Sequence, residues 1–314
     1  MDRPALEHRI TDDEAGQRLD RWLRKLMPQM PLGAIFKHLR AGRVRIDGAK
    51  GKQDVRLVTG MLVRLELPKA DLEAVIAAPP KRETPRERPQ TPFRGAEPRI
   101  VHRDEHVLVI DKPPGMRAQP GSGAGGRDLV SWLDARKLGR RSATFAPAPA
   151  HRLDRGTSGL VAIGLTPAGL RGLTAAFRDD RAQKVYFAVV HGVPRAASGT
   201  IDAPLREVPG AFVDAPKVVV DTAGKPARTD YEVVRSRGDR ALLRLVLHTG
   251  RTHQIRAHLA HLGHPIVGDA RYGAQERLGD GFLLHAAELA LPHPVTGTLL
   301  RLRAELPASF TRSV

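Results

Sequence analysis

The sequence predicts an α+β protein with two domains, a small basic N-terminal domain (residues 1–78) and a larger body (residues 99–314). A chain of 314 residues exceeds the usual single domain, which holds about 100 to 200 residues. Residues 79–98 are rich in proline and charge and nearly free of apolar side chains, which predicts an extended linker. In the body, strand-like segments outnumber helical ones and short turns join them, which predicts a mixed, largely antiparallel sheet with helices at its sides.

The N-terminal domain opens with an amphipathic helical pattern after Arg18, in which the apolar positions are Leu19, Trp22, Leu23 and Leu26. A second helix is predicted over residues 34–41, where Gly42 ends it. Asp47-Gly48 predicts a tight turn between alternating residues, and residues 61–67 have the pattern of a half-buried strand.

Positive charge dominates the chain and is concentrated near its start. The whole chain carries a formal charge of +17, and its isoelectric point is near 11.0. Residues 17–67 alone hold 12 Lys or Arg against 4 Asp or Glu. Such an excess attracts a polyanion whatever its sequence, so nucleic acid is the expected partner. An alternative is a soluble protein from an arginine-rich proteome.

The two basic helices resemble the small RNA-binding domain named after the small-subunit ribosomal protein number four. That resemblance implies that the helix pair lays a basic face on folded RNA, with Arg21, Arg24, Lys37 and Arg40 as the contacting residues. A solvated basic helical hairpin with no role in RNA binding is the alternative.

Other features of composition indicate where the protein acts. It has no cysteine, which fits a reducing cytoplasm, and no apolar segment near the ~20 residues that a membrane helix needs. The start has no signal-peptide pattern, and no exposed apolar stripe suggests an oligomer, so we expect a soluble, cytoplasmic monomer. Aromatic residues make up 4% of the chain, so recognition should depend mainly on phosphate contacts and shape.

The predicted body alternates strands with two helices. An apolar run at residues 107–110 ends in a Pro- and Gly-forced turn at residues 112–115, and the glycine-rich residues 121–126 predict a flexible loop. Strands are predicted at 160–165, 185–190, 229–234 and 241–247, and helices at 167–177 and 253–262.

A dense polar loop at residues 151–159 is the first candidate site. Asp154 lies between Arg152 and Arg155, and glycines 156 and 159 would let the backbone approach a ligand closely. A surface salt-bridge loop is the alternative. Ser158 lacks the Gly-x-Ser-x-Gly spacing of a hydrolase elbow, so it is not expected to be an acyl-transfer nucleophile.

The second candidate site covers residues 249–264. Its histidines, at 253, 258, 261 and 264, suggest a zinc site, but the His-Glu-x-x-His element is missing. A basic helix start fits better, because Arg251 and Arg256 can offer guanidinium groups to a carboxylate or to phosphates.

Four ordered motifs together resemble the RNA pseudouridine synthases that modify large-subunit ribosomal RNA, the A, C and D types, with the C type closest. The resemblance covers residues 100–307 and rests on Asp111-Lys112-Pro113-Pro114-Gly115, His151-Arg152-Leu153-Asp154-Arg155-x-Thr157-Ser158-Gly159, Lys184-Val185-Tyr186-x-Ala188, and Gly250-Arg251-Thr252-His253-Gln254-Ile255-Arg256 with Gly268-Asp269-x-x-Tyr272-Gly273.

This resemblance implies a pseudouridine synthase fold and an isomerase of uridine, most naturally in 23S ribosomal RNA, with no cofactor. It implies that Asp154 is the catalytic carboxylate, whether as nucleophile or as base, that Arg256 is its partner and that Tyr186 stacks on the flipped base. Lys112, Arg152 and Arg251 are the further RNA-binding candidates. A noncatalytic RNA-binding assembly factor, a metal-dependent hydrolase and the same reaction on transfer RNA stay open as alternatives.

Overall fold

A computed structural model describes residues 5–72, 96–119, 127–139, 145–208, 217–279 and 281–314. The chain divides into two compact units, Met1–Thr91 with Gly139–Pro147 and Pro92–Leu138 with Ala148–Val314. Residues 79–95 of the predicted linker and the glycine-rich residues 121–126 lie outside the described residues.

The first unit combines two helices with a small antiparallel sheet. Helices α1 (Leu19–Leu26) and α2 (Leu32–Arg40) confirm the helical patterns, although α2 begins two residues before its predicted start. The strands pair in the order β1-β4-β2-β3, with bounds β1 Leu6–Arg9, β2 Val44–Ile46, β3 Ala49–Lys50 and β4 Leu62–Leu65. Asp47 and Gly48 both have positive φ, 48° and 83°, which confirms the predicted tight turn between β2 and β3.

Apolar faces of α1 and α2 build the core of this unit. Trp22 and Leu23 of α1 and Ile35 of α2 are fully buried in one cluster with residues of the sheet. The four basic residues predicted to contact RNA all remain exposed on these helices, namely Arg21, Arg24, Lys37 and Arg40. Burial of the opposite faces therefore leaves the guanidinium and ammonium groups accessible to a ligand.

The second unit is built on one mixed sheet of ten strands. Eight of them follow the order β10-β13-β14-β9-β15-β8-β6-β5, while β16 pairs with β15 and β7 with β8. Every pairing is antiparallel except that of β8 with β15, which is parallel. The strands are β5 Arg99–Arg103, β6 Val107–Lys112, β7 Ala148–Pro149, β8 Ser158–Gly164, β9 Gln183–His191, β10 Ser198–Asp202, β13 Arg228–Arg237, β14 Arg240–Leu247, β15 Leu284–Pro292 and β16 Leu299–Arg303.

Helices cover both faces of this sheet, as the α+β prediction requires. Helices α3 (Leu129–Ala135) and α5 (Gln254–His261) pack with alternate residues of β8, Val161 and Ile163. Helix α4 (Pro167–Arg178) packs with the other set, Leu160 and Ala162, and α6 (Ala308–Arg312) packs nearby against β9 and β14. Both sides of β8 are therefore buried, which explains its continuous apolar sequence.

Local sequence features set the helix ends. Thr166 caps α4 by accepting a hydrogen bond from the Gly169 amide at 3.1 Å, and Pro167 occupies the first turn. Gly263 follows α5 with a φ of 86°, a left-handed conformation that ends this helix close to the predicted boundary at residue 262.

Several elements differ from the predictions. The apolar segment after residue 99 forms two strands, β5 and β6, because the Asp104 carboxylate accepts hydrogen bonds from the amides of His106 and Val107 and closes a turn. A separate hairpin, β11 (Leu205–Val208) with β12 (Lys217–Val220), was not predicted. Among the described helices, none is both long and apolar enough for a membrane span.

Candidate active site

The Asp154 loop leads directly into the central strand β8, and the structure anchors it from two sides. His151 stacks on Phe177 with ring centroids 4.1 Å apart, and its Nε2 accepts a hydrogen bond from the Ala162 amide at 3.0 Å. Burial lowers the pKa of His151 to about 3, so the ring stays neutral and keeps an acceptor nitrogen. His151 therefore fixes the loop three residues before Asp154.

Lys112 supplies the second anchor, and this contradicts the prediction that it contacts a phosphate. Its side chain is fully buried at the end of β6, and its ammonium donates hydrogen bonds to the carbonyls of Pro113, Met116 and Arg155 at 3.0, 3.0 and 3.4 Å. Burial lowers the pKa of Lys112 to about 7, against the attraction of Asp154 and Asp111. All three donors serve the protein itself, so Lys112 joins two loops instead of binding RNA.

Arg256 of α5 joins two carboxylates at the base of the site. Its Nη1 donates to Asp154 Oδ2 at 2.9 Å, while Nε and Nη2 donate to the two oxygens of Asp269 at 2.7 and 2.9 Å. Burial opposes the charge of this nearly buried guanidinium, but the hydrogen bonds and charges of Asp269 and Asp154 outweigh burial and raise the pKa of Arg256. The sequence-predicted pair of Asp154 and Arg256 is thus in direct contact, over 102 residues of chain.

Two aromatic rings hold the guanidinium of Arg256. Its Cζ lies 4.8 Å from the centre of the Tyr272 ring and 4.5 Å from that of Phe282.

Gly156 and Gly159 of the Asp154 loop lie against other parts of the protein. A Cβ on Gly156 would lie 2.5 Å from the Phe282 ring, and one on Gly159 would lie 2.3 Å from the Ala286 carbonyl oxygen. Both glycines therefore make room for other parts of the protein, a reason for glycine that the predicted approach of a ligand did not include.

An open pocket of about 390 Å³ lies above the pair of Asp154 and Arg256. Tyr186, from the middle of β9, is 8% exposed and lines this pocket while also belonging to the main core. Burial, and then the negative charge of Asp154, raise the pKa of Tyr186, so its hydroxyl stays protonated. The lining residues are Arg152, Leu153, Asp154, Thr157, Tyr186, Leu247, Arg251, His253, Gln254, Ile255, Arg256 and Leu284.

Arg152 and Arg251 lie at the pocket with exposed side chains. Arg251 also donates from Nε to the Pro226 carbonyl at 3.0 Å, which fixes part of its guanidinium and leaves the Nη groups toward solvent. Two positive charges at the mouth of a pocket are suited to anchoring an anionic ligand.

The histidines of the second segment serve different structural roles. His258 is buried, and its two ring nitrogens contact Thr229 Oγ1 at 3.0 Å and the Ala203 carbonyl at 2.9 Å. His264 Nδ1 contacts the His191 carbonyl at 2.9 Å. His253 alone of these enters the pocket, with Nδ1 3.0 Å from the Tyr272 hydroxyl and Nε2 3.8 Å from Asp154 Oδ1. His253, His258 and His264 therefore contact different partners in different places.

Sequence reasoning missed three residues of the site. Asp269 belonged to the recognised C-terminal motif, yet its pairing with Arg256 across 13 residues had no local signal. Tyr272 lies in the short 3-10 helix 270–272 and belonged to the same motif, but its contact with Arg256 was not predicted. Phe282 precedes β15 without any recognisable pattern, so only the fold identifies its contact with Arg256.

Sequence comparisons agree with this geometry. The family described as RNA pseudouridylate synthase matches residues 106–261. A protein from Vibrio vulnificus strain CMCP6, named ribosomal large subunit pseudouridine synthase C, is 33% identical over 97% of this chain and 94% of its own length. The protein of the same name from Escherichia coli strain K12 is 33% identical over 96% of this chain and 93% of its own length.

Solved structures give the same result for the body. Human RNA Pseudouridylate Synthase Domain Containing 1 matches with a TM-score of 0.55 and 26% identity, over 67% of this chain and 83% of that one. Human RNA Pseudouridylate Synthase Domain Containing 4 matches with a TM-score of 0.53 and 27% identity, over 68% of this chain and 91% of that one. Since the bacterial relatives match along nearly their whole length, the chain belongs to the RNA pseudouridine synthase family of isomerases that act on RNA.

Proposed function

We propose that this protein converts specific uridines of 23S ribosomal RNA to pseudouridine, with Asp154 as the catalytic carboxylate. The observation that carries the proposal is the position of Asp154 in the pocket, where Arg256 holds Oδ2 and no described residue donates a hydrogen bond to Oδ1. The other carboxylate oxygen is therefore left for the nucleotide that would fill this pocket. The names of the bacterial relatives, which specify the large ribosomal subunit, support the choice of RNA.

The reaction rearranges one nucleotide and needs no second substrate. The bond between N1 and C1′ breaks, the uracil turns, a bond forms between C5 and C1′, and the proton on C5 is replaced by one on N1. Asp154 either attacks the sugar or the base, or accepts a proton from the ribose. Each route requires a carboxylate oxygen beside C1′, and the hydrogen bond from Arg256 at 2.9 Å holds the Asp154 side chain in place.

Tyr186 is the proposed platform for the flipped uracil. A uridine in a duplex or a stacked loop must leave its neighbours before an enzyme can reach its glycosidic bond. Tyr186 presents a ring to the pocket beside apolar walls from Leu247 and Leu284. Stacking of a base on such a ring contributes about 1 to 3 kcal/mol, which offsets part of the cost of flipping.

The remaining contacts would hold the RNA backbone. At the pocket mouth, Arg152 and Arg251 are placed to bind the phosphates next to the target uridine. We further propose that the N-terminal domain resembles the ribosomal-protein domain in function, binding folded RNA through Arg21, Arg24, Lys37 and Arg40 on α1 and α2. The proposed enzyme acts as a monomer in the cytoplasm, without a cofactor.

The substitution Asp154→Asn tests the catalytic assignment. It keeps the shape of the side chain but removes its charge, so we expect no pseudouridine in 23S RNA while RNA affinity stays within about twofold, since Arg152 and the N-terminal helices are unchanged. The matched control is Asp239→Asn, an exposed carboxylate in the turn between β13 and β14, which should keep full activity. Pseudouridine formation by the Asp154→Asn protein at the wild-type rate would contradict the assignment.

A pseudouridine map of ribosomal and transfer RNA, from cells with and without the gene, tests the substrate. We expect one or a few 23S positions to lose the modification when the gene is absent. Loss confined to transfer RNA would replace the ribosomal substrate, and an unchanged map together with RNA binding would favour a noncatalytic assembly factor.

A further inference from the structure

His253 is the feature that the proposed function leaves unexplained. It precedes α5 with a φ of 52°, a left-handed conformation that is unusual for a residue other than glycine. Its side chain is only 6% exposed and lies between the Tyr272 hydroxyl and Asp154. Backbone strain of this kind persists only where the surrounding structure imposes it, and it clusters at functional sites.

The hydrogen bonds around Tyr272 fix which nitrogen of His253 carries the proton. The Val218 amide donates to the Tyr272 oxygen at 3.1 Å, and an amide can only donate. Among the described residues, the hydroxyl proton of Tyr272 has no acceptor other than His253 Nδ1 at 3.0 Å, so Nδ1 is the acceptor. Burial lowers the pKa of His253, which keeps the ring neutral, and a neutral ring with an acceptor at Nδ1 carries its proton on Nε2.

That proton faces the reactive carboxylate. His253 Nε2 lies 3.8 Å from Asp154 Oδ1, while Asp154 Oδ2 accepts from Arg256. The separation is longer than a hydrogen bond, and a small rotation of either side chain would close it. Two residues at the start of α5, three positions apart in sequence, thus face different oxygens of Asp154: Arg256 faces Oδ2 and His253 faces Oδ1.

This inference rests on the proposed role of Asp154. We propose that His253 is a positioning residue, which orients the Asp154 carboxylate by donating a hydrogen bond from Nε2 to Oδ1. The Val218 amide and the Tyr272 hydroxyl set the tautomer of His253 that this requires. Val218 belongs to β12 of the hairpin formed with β11, and Glu207 of β11 accepts a hydrogen bond from Thr252 at 2.8 Å. The hairpin therefore contacts the helix start directly at Thr252, and it reaches His253 through the hydroxyl of Tyr272.

Nitrogen-15 NMR of the histidine side chains in the full-length protein tests the tautomer directly. We expect the His253 Nδ1 signal at the shift of an unprotonated nitrogen and the Nε2 signal at that of a protonated one. Tyr272→Phe keeps the ring over Arg256 but removes the hydroxyl, so it should produce a mixture of the two tautomers. A wild-type ring protonated at Nδ1, or an unchanged spectrum in Tyr272→Phe, would overturn the proposal.

Single-turnover kinetics test the consequence for the reaction. His253→Asn suits this test because asparagine tolerates the left-handed conformation. We expect its rate constant at saturating RNA to fall about 10- to 100-fold, the loss typical of a hydrogen bond to a charged group, while the RNA concentration for half-saturation changes by less than about twofold. His261→Asn, an exposed histidine at the end of the same helix, is the control and should match the wild-type protein.

The double variant shows whether the two residues act together. If Tyr272 acts through His253, then Tyr272→Phe should add no further loss of rate to His253→Asn. Additive losses, or a wild-type rate in His253→Asn, would contradict the positioning role. Failure of the proposed function would be seen separately as activity in Asp154→Asn, and the tautomer measurement does not depend on activity at all.

Discussion

Arg256 shows how a single buried residue can organise a site. Alone, a buried guanidinium would be costly, but here three hydrogen bonds to two carboxylates and two flanking aromatic rings compensate for its desolvation. Asp269 takes the bidentate contact, so it fixes the plane of the guanidinium. Asp154 accepts only one of the three hydrogen bonds, so none of the described residues donates to its other oxygen.

Asp269→Asn should therefore damage catalysis without touching the pocket. The amide can accept only one of the two hydrogen bonds from Arg256, so the guanidinium tilts and Asp154 loses its orientation. We expect the single-turnover rate constant to fall roughly 10- to 100-fold and the free energy of unfolding to fall by about 2 to 4 kcal/mol.

The matched control for this substitution is Asp221→Asn. Asp221 also pairs with an arginine, Arg206, but this pair lies at the surface, and Asp221 is not part of the pocket. Its loss should change the free energy of unfolding by less than about 1 kcal/mol. Equal effects of the two substitutions on the rate constant would mean that Asp269 does not orient the site.

At the scale of elements, the site depends on the parallel contact between β8 and β15. This pairing places the Asp154 loop beside the start of β15, and it requires Gly159, whose φ is 109°. A Cβ there would lie 2.3 Å from the Ala286 carbonyl oxygen and 2.5 Å from its amide nitrogen, in the backbone of the paired strand. Backbone atoms cannot move aside as a flexible side chain can.

We expect Gly159→Ala to lower the free energy of unfolding of the body by about 3 kcal/mol or more, since left-handed strain and overpacking act together. Hydrogen exchange of the β8 and β15 amides would measure the loss. Gly250→Ala is the control, because a Cβ at Gly250 meets no atom within 4 Å. Slow exchange of the Gly159→Ala amides, as in the wild-type protein, would show that the strands tolerate the change.

The sequence predicted those helices and strands whose apolar pattern or stop residue lies within the element itself. Helix α1 has its apolar spacing in the sequence itself, α2 has its stop signal at Gly42, and β8 has its continuous apolar run. The hairpin of β11 and β12 lacked such a signal, and α3 was also missed. Arg256 was predicted through its motif, but Phe282 and the buried role of Lys112 arise only from packing between distant segments.

On the scale of the whole molecule, a buried histidine links stability to pH. His285 of β15 is fully buried, its Nδ1 lies 2.9 Å from Ser158 Oγ, and its Nε2 has no partner among the described residues. Burial, with a smaller effect of Arg99, lowers the pKa of His285 from 6.5 to about 4. The unfolded chain then binds more protons between these values, so stability is complete above pH 6.5 and falls as the pH approaches 4.

The contribution of His285 should reach about 1.4 kcal/mol for each unit of pH within that window. His285→Gln removes the titrating group, so the free energy of unfolding measured in urea should fall less steeply from pH 6.5 to pH 5. His261→Gln, which removes an exposed histidine, should keep the wild-type slope. Identical slopes for all three proteins would show that His285 is charged in the folded state.

The affinity of the whole molecule for RNA should fall as the salt concentration rises, because its positive charge displaces counterions from the RNA. Four exposed basic residues lie on α1 and α2, namely Arg21, Arg24, Lys37 and Arg40, and each phosphate that they neutralise releases counterions. Replacing all four by glutamine should weaken binding and make the plot of log affinity against log salt shallower by about 3, since each contact contributes roughly 0.7 to 0.9. Fluorescence anisotropy with a 23S RNA fragment would measure this slope.

A second quadruple variant separates the position of these charges from their number. Arg195, Arg235, Arg237 and Arg301 are exposed in the body and are not part of the pocket. Their replacement by glutamine lowers the charge of +17 by the same amount but removes none of the proposed contacts, so the slope should stay close to that of the wild-type protein. Equal changes in slope for both variants would mean that RNA responds to the overall field and that the N-terminal helices hold no docking face.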